Sequence, residues 1–349
     1  MGIHARVPEF CDQFGLGLPI LQAPMSGACP PGLAVAVANA GGMGADGALL
    51  DGPERIAEWM EQFRAGSRGA VQLNVWIPDP PIDDPARVHA AYAFMSRFGE
   101  PGPPLASAPV FAEQCEAMLA ARPTVLSSIM GLFDADYVRR LHDDGIAWFA
   151  CATTLEDALA AQDAGADAIV AQGMEAGGHR GSFDQESAER TNVGLFALIP
   201  SLADHLRVPI VATGGIADGR GVAAALALGA SAVQVGTALL RSPEAAINEQ
   251  WSAALRDLPP EGTTTTRSYT GRLGRAVRTP YVAAWDEPGA PVPAPYPEQR
   301  RLVIRWRQGN PRGLDAVNHW AGQSAALAKE LPAGEIVTRM WADASALLS

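Results

Sequence analysis

Short apolar runs that stop on a polar residue or a glycine recur through the first two thirds of the chain, each followed by a longer stretch of helical character. The runs fall at 19–25, 43–45, 71–76, 124–129, 147–152, 168–172, 209–213 and 232–236. They show little alternation, as expected of parallel strands covered on both faces. Helices are expected between them at 32–40, 53–63, 111–122, 134–143, 154–164, 195–205 and 221–228. Pro53 suits a first helical turn, and Thr153 or Thr154 a cap. Eight strands and their helices within about 220 residues fit a barrel better than an open sheet.

The pattern predicts an α/β chain: a (β/α)8 TIM-type barrel with a smaller inserted α/β domain near the C-terminus. The barrel is assigned to 1–241, the inserted domain to 242–312, and a returning segment to 313–349. Within the inserted domain a helix is expected at 243–255, a β-rich run at 263–269, the end of a short helix at 282–285 and an extended proline-rich strap at 288–297. A closing helix is expected at 334–348. One stretch breaks the alternation: 77–109 is rich in proline and acid around an expected helix at 85–98, and its length alone leaves a lid and an ornament equally open.

In such a barrel the active site lies where the strands end, and a phosphate commonly sits on the loops after strands seven and eight. Those loops carry Gly214-Gly215 and Gly236-Thr237. Glycine lets a backbone approach a phosphate closely, and amide groups supply hydrogen bonds. Strand six ends at Gln172 and opens into a loop with Gly177, Gly178 and Gly181 around His179. An imidazole titrates near neutrality and suits the transfer of a substrate proton, so His179 stands out as a functional candidate against the plainer role of tying down its loop. Glu175 reads as structural and Arg180 as an exposed arginine.

Composition narrows the classes. Of 349 residues, 48% are hydrophobic and 18% charged. Neither a membrane span nor a secretory signal is evident, which makes a soluble cytoplasmic protein the expectation. The net charge of −12, with 25 arginines and the single lysine Lys329, leaves no broad basic face for nucleic acid. Cys11, Cys29, Cys115 and Cys151 are too scattered for a disulfide framework or a zinc site, and no metal is expected. His142 and His205 sit at helix ends, where a cation is favoured, and His89 belongs on a surface. His319 fits either a cleft or packing. The Gly-x-Gly-x-x-Gly at 42–47 follows a helix instead of opening one, a weak dinucleotide signal. Walker A and Gly-x-Ser-x-Gly motifs are missing from the sequence.

Several blocks together carry a resemblance: Gln22-Ala23-Pro24-Met25, Asn74-Val75-Trp76, the stretch 172–181 around His179, 212–220 around Gly214-Gly215, and Gln234-Val235-Gly236-Thr237. In combination they resemble nitronate monooxygenases, formerly called 2-nitropropane dioxygenases, over most of 15–345. The resemblance implies an FMN-dependent barrel with a smaller inserted domain, acting on a nitronate and molecular oxygen to give a carbonyl compound and nitrite or nitrate. It assigns FMN contacts to Ala23, Pro24 and Met25 beside the ring system, and to Asn74, Gln172 and Gly177. The phosphate falls to Gly214, Gly215, Gln234, Val235, Gly236 and Thr237, and the catalytic base to His179. Ser268-Tyr269-Thr270-Gly271-Arg272 looks like the family's connector, and the serine pair Ser127-Ser128 is a departure from the pattern. An FMN-dependent enoyl-thioester reductase using NAD(P)H shares much of it, and a non-redox phosphate-binding barrel or a flavin-binding module without turnover also stays open. A homo-oligomer is compatible with the sequence.

Overall fold

The computed structural model describes residues 2–105, 107–314 and 316–349. Met1, Ala106 and Asp315, which fall in the expected barrel, excursion and returning segment, lie outside the described residues. Eight strands form one parallel sheet: β1 (Ile20–Gln22), β2 (Gly44–Gly47), β3 (Val71–Trp76), β4 (Val125–Ile129), β5 (Ala147–Ala152), β6 (Ala168–Gln172), β7 (Ile210–Thr213) and β8 (Ala232–Val235). From β2 to β8 each strand pairs with its sequence neighbour, and β8 pairs with β1. A parallel bridge from Leu21 to Met43 closes the ring. The expected barrel is therefore present: three strands keep their expected bounds, β2 runs two residues further, and the others are shorter by one to four residues.

The strands are apolar because helices cover them outside and side chains fill them inside. Ile20, Leu21, Ile169, Val211, Ala212, Ala232 and Val233 are fully or almost fully buried. Gly42 and Gly44 belong to this packing: a Cβ on Gly42 would lie 2.5 Å from the Ile20 carbonyl oxygen, and one on Gly44 2.5 Å from that of Ala34. Close helix–strand approach accounts for this glycine motif without a nucleotide.

Two helices escaped the sequence reading. The helix Ile3–Phe14 carries Pro8 in its interior, a residue that normally breaks helices. It survives because Val7, Phe10, Cys11 and Phe14 share one buried stripe, with Phe14 edge-on to Phe149 at 5.0 Å. The helix Glu298–Gln308 is masked by its charge, yet buries Gln299, Leu302, Val303 and Trp306 at helical spacing. The β-rich run expected at 263–269 is present as β9 (Thr263–Thr266), but its hairpin partner β10 (Gly274–Val277), which places a buried arginine, Arg275, on a strand, was not foreseen. The helix expected at 243–255 starts only at Glu249, where Asn248 caps it by accepting from Trp251 N at 2.7 Å.

A second apolar core lies on the strand-end side. Tyr269, Tyr281, Trp285, Leu302 and Trp306 meet Ala91, Phe94 and Met95 of the helix Pro85–Met95 there. The excursion at 77–109 is thus built into this core, and its strand Gly99–Glu100 pairs antiparallel with Asn310–Pro311. The last helix, Ala333–Leu348, packs on the helices Gly219–Leu228 and Pro31–Asn39, so the chain returns to the barrel wall after β10 and its neighbours. Among the described residues no helix is long and apolar enough to cross a membrane.

Candidate functional site

A cavity of about 380 Å³ opens between the barrel's strand ends and the second core. Of the residues singled out from the sequence, Ala23, Pro24, Met25, Asn74, Gln172, Gly177, His179, Gly214, Gly215, Gln234, Gly236 and Thr237 all line it. Val235 does not. It is 1% exposed within β8, and its carbonyl accepts from Ala23 N at 2.8 Å, which anchors the 23–25 loop. Cys29 supports the same loop by accepting from Met25 N at 3.3 Å.

The floor is polar. Gln72 Nε2 donates to Gln234 Oε1 at 3.2 Å, Thr213 Oγ1 donates to the Gln234 carbonyl at 2.9 Å, and Asn74 Nδ2 donates to Ser127 Oγ at 2.9 Å. Ser128 also lines the cavity, and its Oγ accepts from Trp148 Nε1 at 3.0 Å. Gln172 lines the cavity but commits both ends of its amide to its own loop: Nε2 donates to the His179 carbonyl at 2.9 Å and Oε1 accepts from Gly181 N at 2.8 Å.

One edge of the cavity is glycine backbone. Gly214 and Gly215 have φ of +125° and +67°, where a side chain would be strained. A Cβ on Gly236 would crowd Ala23 Cβ at 3.3 Å and Met25 Sδ at 3.4 Å. Gly177 faces the segment after Trp320, where its Cβ would fall 2.4 Å from Gly322 N. Gly322 N in turn donates to Thr237 Oγ1 at 3.0 Å. A ligand phosphate fits such a bare, hydrogen-bonding edge. Ser324 and Gly322 also line the cavity, and no spacing or motif in the sequence pointed to them as site residues.

His179 lines the same cavity. It occupies a two-residue strand, Gly178–His179, paired antiparallel with β10 through Gly274. Its ring lies between Trp76 and Trp320, with centroids 4.5 Å and 4.6 Å away. Nε2 contacts Thr270 Oγ1 at 2.9 Å. Burial, with the nearby Arg272 and Arg300 cations, pushes its pKa from 6.5 down to about 3. The imidazole is therefore neutral near pH 7, with a lone pair available.

The surrounding loop is fixed by buried charge. Arg180 is 7% exposed, contrary to the expected exposed arginine; Nη1 donates to the Gln172 carbonyl at 2.6 Å and Nη2 to the Thr191 carbonyl at 3.0 Å. Its adjacency to His179 hid this, since only tertiary contacts reveal it. Glu175 has the structural role expected, accepting from Leu195 N at 3.0 Å at the start of the helix Leu195–Ala203. Arg272 is buried beside Asp79 of the excursion, with 3.2 Å between Nη2 and Oδ1. Arg300 and Arg307 line the cavity from the helix Glu298–Gln308. Two other histidines are engaged elsewhere: His142 meets Asp167 at 3.0 Å, and His205 contacts the Ser201 carbonyl at 2.7 Å. The four cysteines are free and buried.

A family model described as nitronate monooxygenase matches residues 9–343. A nitronate monooxygenase of Paraburkholderia phytofirmans is 38% identical over 339 residues, covering 93% of this chain and 92% of the relative. One from Pseudomonas aeruginosa is 37% identical over 343 residues, covering 94% and 97%. Among solved structures, a nitroalkane oxidase from Streptomyces ansochromogenes superposes with a TM-score of 0.86 at 31% identity, covering 98% of this chain and all of that one.

Proposed function

The chain is an oxidoreductase of the nitronate monooxygenase family, and from that premise we propose that it holds FMN in this cavity and oxidises alkyl nitronates with molecular oxygen, giving a carbonyl compound and nitrite or nitrate. The observation that carries the reading is a neutral His179 held between Trp76 and Trp320, facing a glycine-edged cavity. The residues present fit FMN. Gly214, Gly215, Gly236 and Thr237 would hold the phosphate, with Gln234 beside them. Ala23, Pro24 and Met25 would flank the ring system, and Asn74, Gln172 and Gly177 would meet its polar edge. Val235 would act only by anchoring the 23–25 loop. Bound there, FMN would supply the electron acceptor and the site of reaction with oxygen.

The chain's own residues supply the rest. A nitronate already carries the negative charge of a removed proton, so it needs positioning alone. Arg300 lines the cavity, and its positive potential favours an anionic substrate. A neutral nitroalkane must first lose the hydrogen next to its nitro group, and a ring nitrogen of His179 would accept it. The two tryptophans pack against the ring and hold it in place at the cavity wall.

The test is an anaerobic absorbance scan of the purified protein before and after propionate 3-nitronate and, separately, NADPH. The expected result is bleaching of the flavin band by the nitronate and recovery in air. Bleaching by NADPH alone would replace this reading with a reductase, and a colourless protein that takes up no FMN would remove the flavin altogether.

A further inference from the structure

We propose that Thr270 is a positioning residue for His179, fixing the imidazole as the tautomer with hydrogen on Nε2 and the basic lone pair on Nδ1. The consequence for catalysis rests on the reading of His179 as the proton acceptor; the tautomer assignment does not.

The argument is a count of hydrogens. Nε2 lies 2.9 Å from Thr270 Oγ1, and a hydroxyl has one hydrogen to give. A second claimant is the backbone carbonyl of Arg272, 3.3 Å from the same oxygen. Arg272 is 1% exposed, and a buried carbonyl without a donor costs about 1–3 kcal/mol. Giving the hydroxyl hydrogen to that carbonyl avoids this loss. The oxygen's lone pairs then accept from Nε2–H and from Arg272 N, which lies 3.3 Å away. The reverse arrangement strips the carbonyl of this donor and puts a hydrogen on Nδ1, leaving no lone pair for a substrate proton. Among the described residues Nδ1 has no hydrogen-bonding partner. A fixed tautomer matters because the ring is neutral: burial and the two arginine cations hold its pKa at about 3.

The geometry around Thr270 is rigid enough for the task. Ser268, two residues earlier, offers its carbonyl to Tyr281 Oη at 2.8 Å and to Gln299 Nε2 at 2.7 Å, both from the second core. Gly271, at φ +91°, lies so close under the proline-rich strap that a Cβ there would fall 2.5 Å from the Ala294 carbonyl oxygen. Thr270 is clamped on both sides. His179 is tied to the same unit, since Gly274 pairs with it and Arg180 N donates to the Leu273 carbonyl at 2.8 Å. Both partners of the 2.9 Å contact therefore stand on one hydrogen-bonded backbone.

The experiment is ring-nitrogen NMR on the purified, flavin-bearing protein labelled in its histidine imidazoles, with the His179 signals identified by their loss in His179→Asn. The parent and Thr270→Ser are expected to carry hydrogen on Nε2, and Thr270→Val to shift toward Nδ1–H or a mixture. In parallel, Thr270→Val should lower kcat/KM for a neutral nitroalkane by at least about tenfold while leaving a preformed nitronate within about twofold, and Thr270→Ser should restore the former. A parent with hydrogen on Nδ1 overturns the proposal, even if no Thr270 variant folds. An unchanged tautomer in a folded Thr270→Val does so too. Should the tautomer read as expected while the parent oxidises no nitro compound, the positioning role stands and the functional reading falls.

Discussion

Acidification should weaken the fold through His179, and the size of the effect follows from its surroundings. In the unfolded chain the imidazole titrates at its ordinary 6.5, whereas in the folded protein burial, Arg272 and Arg300 hold it at about 3. The folded pKa is the lower one. As pH falls through 6.5 the unfolded chain takes up a proton that the folded protein refuses, so stability drops from about pH 6.5 down to about pH 3 and is unaffected by this group above that window. One unit into the window, near pH 5.5, full linkage amounts to about 1.4 kcal/mol. The ring is partly open to the cavity, and water there screens some of this, so about 1 kcal/mol is the expected loss. Urea unfolding of the parent and of His179→Asn, each near pH 7.5 and pH 5.5, isolates the contribution, because every other titrating group is common to both. The parent should lose about 1 kcal/mol more than the variant on acidification. Parallel losses, within about 0.3 kcal/mol, would show that the histidine protonates freely in the folded protein and would refute the electrostatic reasoning.

Two further outcomes follow from contacts around the cavity. Gly177→Ala places a methyl 2.4 Å from Gly322 N and 2.5 Å from the Ala321 carbonyl carbon, so the loops must part; the purified variant should lose its flavin absorbance and about 1–3 kcal/mol of stability in urea unfolding. Asp79→Asn leaves the buried Arg272 guanidinium without its counter-charge and should cost about 3 kcal/mol, while Arg272→Met added to it should recover much of that loss in the same unfolding assay.

The barrel was legible because buried parallel strands leave a mark that survives in one dimension: apolar runs such as 168–172 ending at a polar residue and glycines. The glycines at 177, 214, 215 and 236 were legible as residues of the cavity wall for a related reason, since a backbone edge needs them where it meets another loop closely. Val235 was swept in by its neighbours; alternation along β8 turns it away from the cavity. What stayed hidden depends on partners far along the chain. Arg180 is 7% exposed because carbonyls of Thr191 and Gln172 converge on it. Thr270 lies 91 residues from His179, and the connector-like block 268–272 that contains it carried no role for it. The helix Ile3–Phe14 was concealed by Pro8, and the helix Glu298–Gln308 by charges that cover a sound apolar stripe.

The division of labour across the cavity explains why the excursion and the connector are built together. The glycine edge stands on β7, β8 and the segment at 321–324, and so inherits the rigidity of the barrel. The imidazole stands on a strand paired with β10, and Tyr269, beside Thr270, stacks on Tyr281 at 5.2 Å in the second core. That core closes only because Phe94 and Met95 of the excursion fill it, and the pair Asp79–Arg272 ties the excursion's start to the connector. The position of the ring relative to the glycine edge is therefore set by residues remote from both. A stretch that interrupts the strand–helix alternation after β3 thereby fixes the approach of His179 to whatever the barrel holds. Substitutions in the excursion core should accordingly disturb reactions that need a proton removed more than those that begin from the anion.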